Sequence, residues 1–182
     1  MNFATIKNCD IANGPGVRVS LFVSGCTHHC KGCFNEIAWD FGYGEPFTQE
    51  TVDLILQMLS PDYIQGLTLL GGEPFEPQNQ GAVLDLVRQV RQRYPQKSVW
   101  AYSGYLFDKD ILPGRLGDSD VTQELVSLLD VLVDGPFVEN QKDLSLRFRG
   151  SRNQRLIDVP ASLQAGSVIL WMDQQEKEMG KK

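Results

Sequence analysis

Short apolar runs alternate with segments carrying a helical apolar stripe along most of this chain. Val17 to Val23 (Val-Arg-Val-Ser-Leu-Phe-Val) is β-branched and aromatic, follows the breaker Asn13-Gly14-Pro15-Gly16 and stops at Ser24-Gly25, which predicts a buried strand. From Thr48 a helix is expected, with Thr48 as N-cap, Thr51 three residues on, and Val52, Ile55, Leu56 and Leu59 as its stripe until Pro61. Gly66 to Leu70 reads as a second strand broken by Gly71-Gly72, and Gly81 to Tyr94 as an amphipathic helix ended by Pro95. Ser98 to Tyr102 is a third strand, Thr122 to Leu129 a helix, and Asp130 to Asp134 a fourth strand closed by Gly135-Pro136. Strands and helices that alternate through short connections predict an α/β domain with a largely parallel sheet and covering helices. In such sheets the chemistry gathers at the C-terminal strand ends. The segments at those ends are Gly25 to Asn35, Gly71-Gly72-Glu73-Pro74, Tyr102-Ser103-Gly104 and Asp134-Gly135-Pro136, so all four are expected on one rim.

Length and charge narrow the class. A chain of 182 residues suits one domain. No window reaches the roughly 18 consecutive apolar residues of a membrane helix. The first ten residues lack a basic start and apolar core, so a cytoplasmic protein is expected. A formal charge of -6 argues against sequence-independent binding of nucleic acid, which draws its affinity from Lys and Arg on phosphates. Arg147, Arg149, Arg152 and Arg155 form a local exception, read either as a solvated basic loop or as a site for a carboxylate, phosphate or protein. The segment beyond Pro160 includes the strand-like Ser167 to Trp171, and a polar tail from Asp173 is expected to fray.

The chemistry concentrates in Gly25-Cys26-Thr27-His28-His29-Cys30-Lys31-Gly32-Cys33-Phe34-Asn35. Three thiols on one loop, spaced by three residues and then two, are able to wrap one face of an iron–sulfur cube and leave one iron without a protein ligand. The alternative is structural zinc, which takes four ligands, with Cys9, His28 or His29 as the fourth. Crowded cysteines without a sign of secretion point to metal or redox chemistry rather than disulfides. Cys9 is otherwise expected to be a free buried thiol, and the two histidines to face solvent or the loop backbone. Gly71-Gly72 permits close approach of a ligand to the backbone, and Glu73 would accept from an ammonium group, although strand-to-helix turns commonly use such glycines for structure alone. Trp100, Tyr102 and Tyr105 read as core or lid aromatics. Asp134 reads as a rim carboxylate for a ribose or cation, or as a turn cap.

The cysteine triplet with Phe34 behind it, followed by Gly71-Gly72-Glu73-Pro74, resembles the radical S-adenosylmethionine enzymes. Asn13 to Arg18, Leu21 to Cys26, Trp100 to Tyr105, Val131 to Phe137 and Arg149 to Arg155 extend the likeness, over roughly residues 5–158, to the activating proteins of anaerobic, class III ribonucleoside-triphosphate reductases. The resemblance implies a single domain over 1–182 built as a partial (β/α) barrel. It implies a [4Fe-4S] cluster on Cys26, Cys30 and Cys33, with S-adenosylmethionine chelated to the fourth iron. Gly32, Cys33 and Phe34 would contact that cofactor by backbone, Gly71, Gly72 and Glu73 would receive its amino group, and Asp134 would lie near its ribose. Reduction by a flavodoxin or ferredoxin would split the cofactor, and the resulting radical would remove hydrogen from a glycine of the partner reductase. No separate catalytic side chain is implied. The open reactive site suits closure by the partner itself.

Two positions depart from the pattern. Leu70 stands where relatives often carry a small hydroxyl residue, and residues 160–182 extend past the usual end, as an added edge strand or a partner contact. The competing readings are an activase for another glycyl radical enzyme, of the formate-lyase type, and a zinc-bound interaction module.

Overall fold

The computed structural model describes residues 1–172; the expected fraying from Asp173 onward lies outside the described residues. Seven strands form one sheet in the order β3-β1-β2-β4-β5-β6-β7. They are β1 (Asn2–Asp10), β2 (Val17–Val23), β3 (Glu45–Pro46), β4 (Ile64–Gly71), β5 (Ser98–Ser103), β6 (Val131–Asp134) and β7 (Arg155–Asp158). The pairs β2/β4, β4/β5 and β5/β6 are parallel, whereas β1 and β7 flank this centre antiparallel. A largely parallel sheet is thus present, with antiparallel edges that periodicity did not reveal. β1, β3 and β7 had no counterpart in the sequence reading.

Among the described residues the α-helices are α1 (Gln49–Met58), α2 (Pro77–Arg93), α3 (Ser119–Ser127) and α4 (Val159–Ala165). Thr48 caps α1 in a capping box with Thr51, as its sequence implies. α2 starts at Pro77 rather than Gly81, because a proline at the first helical position loses no hydrogen bond. α3 begins three residues before Thr122, where Asp118 accepts from the amides of Asp120 and Val121. The short helix α4 was not anticipated.

Because β2, β4, β5 and β6 follow one another in order, right-handed crossovers put their helices on one face. Val19, Leu21, Leu67, Leu69, Val99, Ala101 and Leu132 pack there against Ile55, Val83, Leu86, Val87 and Leu125. The alternate residues form the opposite face. There Trp100, Val131 and Val133 pack with Tyr102, Phe148, Leu156 and Trp171. Arg18, wholly buried on this second face, donates to Thr68 Oγ1 at 2.7 Å and to the Leu67 and Ser98 carbonyls, and its guanidinium faces the Trp100 ring. Loops rather than helices cover this side, which leaves room for a site.

The strand-like Ser167 to Trp171 is not a full strand. It forms one antiparallel bridge, Leu170 with Ile157, while the Asp158 amide donates to the Ile169 carbonyl and the Trp171 amide to the Leu156 carbonyl. Trp171 then meets Trp100 edge-on, with ring centroids 4.9 Å apart. The segment therefore covers the edge of β7 and seals the second apolar cluster.

Candidate functional site

The cysteine loop leaves the C-terminal end of β2 and is held by backbone pairing on both sides. The Gly25 amide donates to the Ala38 carbonyl at 2.8 Å and the Cys26 amide to the Trp39 carbonyl at 3.2 Å, both in the short 3-10 turn Glu36–Trp39. From the other side, the Gly72 amide donates to the Val23 carbonyl at 2.7 Å and the Glu73 amide to the Gly25 carbonyl at 2.8 Å. A Cβ on Gly72 would stand 2.4 Å from the Gly25 oxygen and 2.9 Å from the Ala38 oxygen. The double glycine is therefore required by the approach of the cysteine loop itself. Gly71, at φ +112, turns the chain out of β4 toward that contact.

Cys26, Cys30 and Cys33 line one pocket together with Gly71, Gly72, Glu73, Tyr102, Ser103, Gly104 and Gly135. Residues from all four expected strand ends thus meet at one place. Through Cys33, Phe34, Leu70, Tyr102, Phe137 and Gln154 this pocket continues into a groove of about 460 Å³. Gly32 lines that groove, and Phe34 stands 87% exposed at its mouth. Leu70 is buried in the shared wall. The Tyr102 hydroxyl is buried without a hydrogen-bond partner, an arrangement that favours a polar atom brought in by a ligand.

Burial pushes the Cys26 thiol up to about 12, against hydrogen bonds from the His28 and His29 backbone, and burial also raises Cys30. Burial thus holds the Cys26 and Cys30 thiols in the protonated form until a metal displaces the protons. Among the described residues no three His, Cys, Asp or Glu side chains converge on a point where one ion would be held. The three cysteines line the pocket described above.

Cys9 is remote from this pocket. It is exposed, lies beside Arg18 to Ser20 in the pairing of β1 with β2, and so sits roughly 10–16 Å of strand short of the cysteine loop. The expectation of a buried free thiol fails, as does that of a fourth ligand, because β1 runs antiparallel and carries the residue to the far end.

His28 does not face solvent as expected. Its Nε2 lies 3.1 Å from Glu73 Oε2, and its ring meets Tyr105 at 4.4 Å between centroids. His29 is exposed and stacks on Trp39. The Glu73 carboxylate, 1% exposed, also accepts from the amides of Phe75 at 2.9 Å and Gly104 at 2.7 Å. With three donors bound, it keeps capacity for one more, since a carboxylate offers about four lone-pair sites. Its first task is to fasten the ends of β4 and β5 to the cysteine loop.

Asp134 is corrected more sharply. It is not on the rim: it is fully buried, accepts from the Phe107 amide at 2.8 Å, and binds Arg155 through both oxygens, at 2.9 and 2.5 Å. Unlike Glu73, it lines neither the cysteine pocket nor the groove beside it, so its carboxylate faces the fold and not a ribose. The arginine cluster is correspondingly spent within the fold. Arg155 also binds Asp108, Arg152 pairs with Asp143 at 2.9 Å, Arg149 donates to the Gln154 carbonyl, and Arg147 lies over the Phe148 ring.

Comparison with known proteins agrees with this geometry. Residues 12–157 match the family described as 4Fe-4S single cluster domain. The chain is 43% identical over 157 residues to the anaerobic ribonucleoside-triphosphate reductase-activating protein of Enterobacteria phage T4, covering 86% of this chain and 93% of that one. It is 44% identical over 156 residues to the protein of that name from Vibrio cholerae, and 43% over 157 residues to that from Escherichia coli K12, in each case over 85% of this chain and 96% of the relative.

Proposed function

The chain belongs to the family of anaerobic ribonucleoside-triphosphate reductase-activating proteins, and from that premise we propose that it installs a glycyl radical on such a reductase. One observation supports this most: three thiols from one loop line a pocket that also collects the ends of β4, β5 and β6. Cys26, Cys30 and Cys33 would hold a [4Fe-4S] cluster, since cluster iron is bound by Cys sulfur and the family matched over residues 12–157 is a 4Fe-4S single cluster domain. Cluster and S-adenosylmethionine, when bound, would supply a carbon-centred radical by one-electron cleavage. The groove beside Cys33, at about 460 Å³, is in the ~300–1,000 Å³ range of small-molecule sites and would take the cofactor.

The chain's own residues bind, orient and exclude water. The backbone of Gly32, Cys33, Phe34, Gly71 and Gly72 would flank the cofactor, and the remaining lone pair of Glu73 would receive its ammonium group. Tyr102 lines the same groove. Leu70, Phe137 and Trp39 give the cavity apolar walls, which keep water from a reactive intermediate. The helices cover only one face, as in a partial (β/α) barrel of the radical S-adenosylmethionine type, and the site opens where the partner's glycine must arrive. We read residues 1–182 as one such unit, with 160–172 as a cover over its last strand. The electron would come from a flavodoxin or ferredoxin in a reducing cytoplasm.

The relatives' names favour a reductase over a formate-lyase type target. Mixing the reduced protein, S-adenosylmethionine and the reductase under anaerobic conditions is expected to give a glycyl radical signal by electron paramagnetic resonance. Protein that is colourless as purified anaerobically, contains zinc and lacks sulfide would overturn the proposal in favour of a zinc module.

A further inference from the structure

Glu76 stands immediately before α2, where a helix ordinarily takes Ser, Thr, Asp or Asn to cap its first amides. Its side chain makes no capping bond. The carboxylate turns instead to the cysteine loop, where Oε1 accepts from the Thr27 amide at 2.7 Å and from the Thr27 hydroxyl at 2.6 Å. The residue is 4% exposed although Thr27 itself is at the surface, so a charge-bearing side chain is buried to reach one exposed loop residue. That residue lies between the first two thiols. His28, next along, is held from the same side by Glu73. The Asn79 amide group, one turn into α2, donates to the carbonyls of Ser24 and Glu73 at 3.0 and 2.9 Å and braces the same base.

We propose that Glu76 is a positioning residue for the metal loop. Through Thr27 it presets the stretch from Cys26 to Cys30 before the cluster binds, and it fixes a carboxylate behind that cluster. The proposal rests on the cluster reading above. Two consequences separate it from a merely structural contact. Outer-shell partners of metal ligands govern retention, and their removal typically costs about 10–100-fold in affinity. A fixed carboxylate near the irons also disfavours the added electron, because net charge helps set cluster potential.

The test uses the full chain, reconstituted anaerobically with iron and sulfide, with cluster loss to an iron chelator followed by absorbance. Glu76→Ala is expected to lose its cluster about tenfold faster than the parent. Glu76→Gln keeps an oxygen for Thr27 and is expected to retain the cluster like the parent, while its midpoint potential moves to a more positive value. Equal loss rates for parent and Glu76→Ala would overturn the proposal, as would a Glu76→Gln potential identical to the parent's. If Glu76→Ala fails to fold by circular dichroism, Thr27→Val carries the test: it removes the hydroxyl arm alone, and loss at the parent's rate overturns the proposal. A parent that takes up no cluster sinks the cluster reading and this proposal together, whereas equal rates sink this one alone.

Discussion

Replacing Asp134 by alanine separates a structural carboxylate from a cofactor ligand. The substitution removes the acceptor of the Phe107 amide, whose residue is fully buried, and leaving such a donor unpaired costs about 1–3 kcal/mol. It also removes both bonds from Arg155. Those bonds are charge-assisted, but Arg155 is 30% exposed and keeps Asp108, so solvent screening reduces their loss to about 1 kcal/mol. The sum is about 3 kcal/mol, and at roughly 2–4 °C per kcal/mol for a chain of this size the melting midpoint should fall by roughly 6–12 °C. Differential scanning calorimetry on the metal-free protein measures this without any cofactor. Arg155→Ala should destabilise comparably, since it strands a buried carboxylate, and the double variant should lose clearly less than the two single losses added together. A melting point within 2 °C or so of the parent's, together with lost binding of S-adenosylmethionine, would refute the reasoning and return Asp134 to the cofactor.

Three further outcomes follow from the same geometry. Gly72→Ala places a methyl group 2.4 Å from the Gly25 oxygen, so the cysteine loop must shift, and the variant should assemble little cluster by iron and sulfide analysis while its far-ultraviolet circular dichroism stays that of a folded chain. Cys9→Ser should retain the parent's iron and sulfide because the residue lies at the other end of β2, whereas Cys30→Ala should retain neither; loss of the cluster in Cys9→Ser would contradict the topology. Hydrogen bonds from the Ser145 hydroxyl and amide and from Arg152 hold Asp143 down at about 2, and the bond from Arg155 lowers Asp108, both from an ordinary 3.8. The unfolded chain then takes up these protons first, so stability should fall as the solution is acidified from about pH 5 toward pH 2, and Asp143→Asn should flatten that slope in urea melts.

The parts of this molecule that were legible in the sequence are those buried on both faces. β2, β4, β5 and β6 have helices on one side and loops on the other, so each reads as a short, mostly apolar segment rather than an alternating one. β1 is half exposed, carries bulges and has Cys9 at φ 60, and it leaves no such segment. β7 is four residues long, and its pairing is set by β6 and by the chain beyond Ser167. Side-chain roles divided on the same line. The cysteines could be read because their spacing is local. Asp134 with Arg155, His28 with Glu73, and Thr27 with Glu76 are joined across 21, 45 and 49 residues, and no periodicity encodes such partners. The one local hint was a glutamate in a helix-capping position, which is a poor choice for a cap and therefore invites the question of what else it binds. The same division explains how the site works as a unit. Sequential parallel strands place every helix on one face, so the other face must be closed by loops. Loops cannot be stiffened by periodic backbone pairing, and here buried carboxylates from the glycine-rich turn and from the start of α2 do that work. The precision of three flexible thiols therefore depends on residues that contribute no ligand.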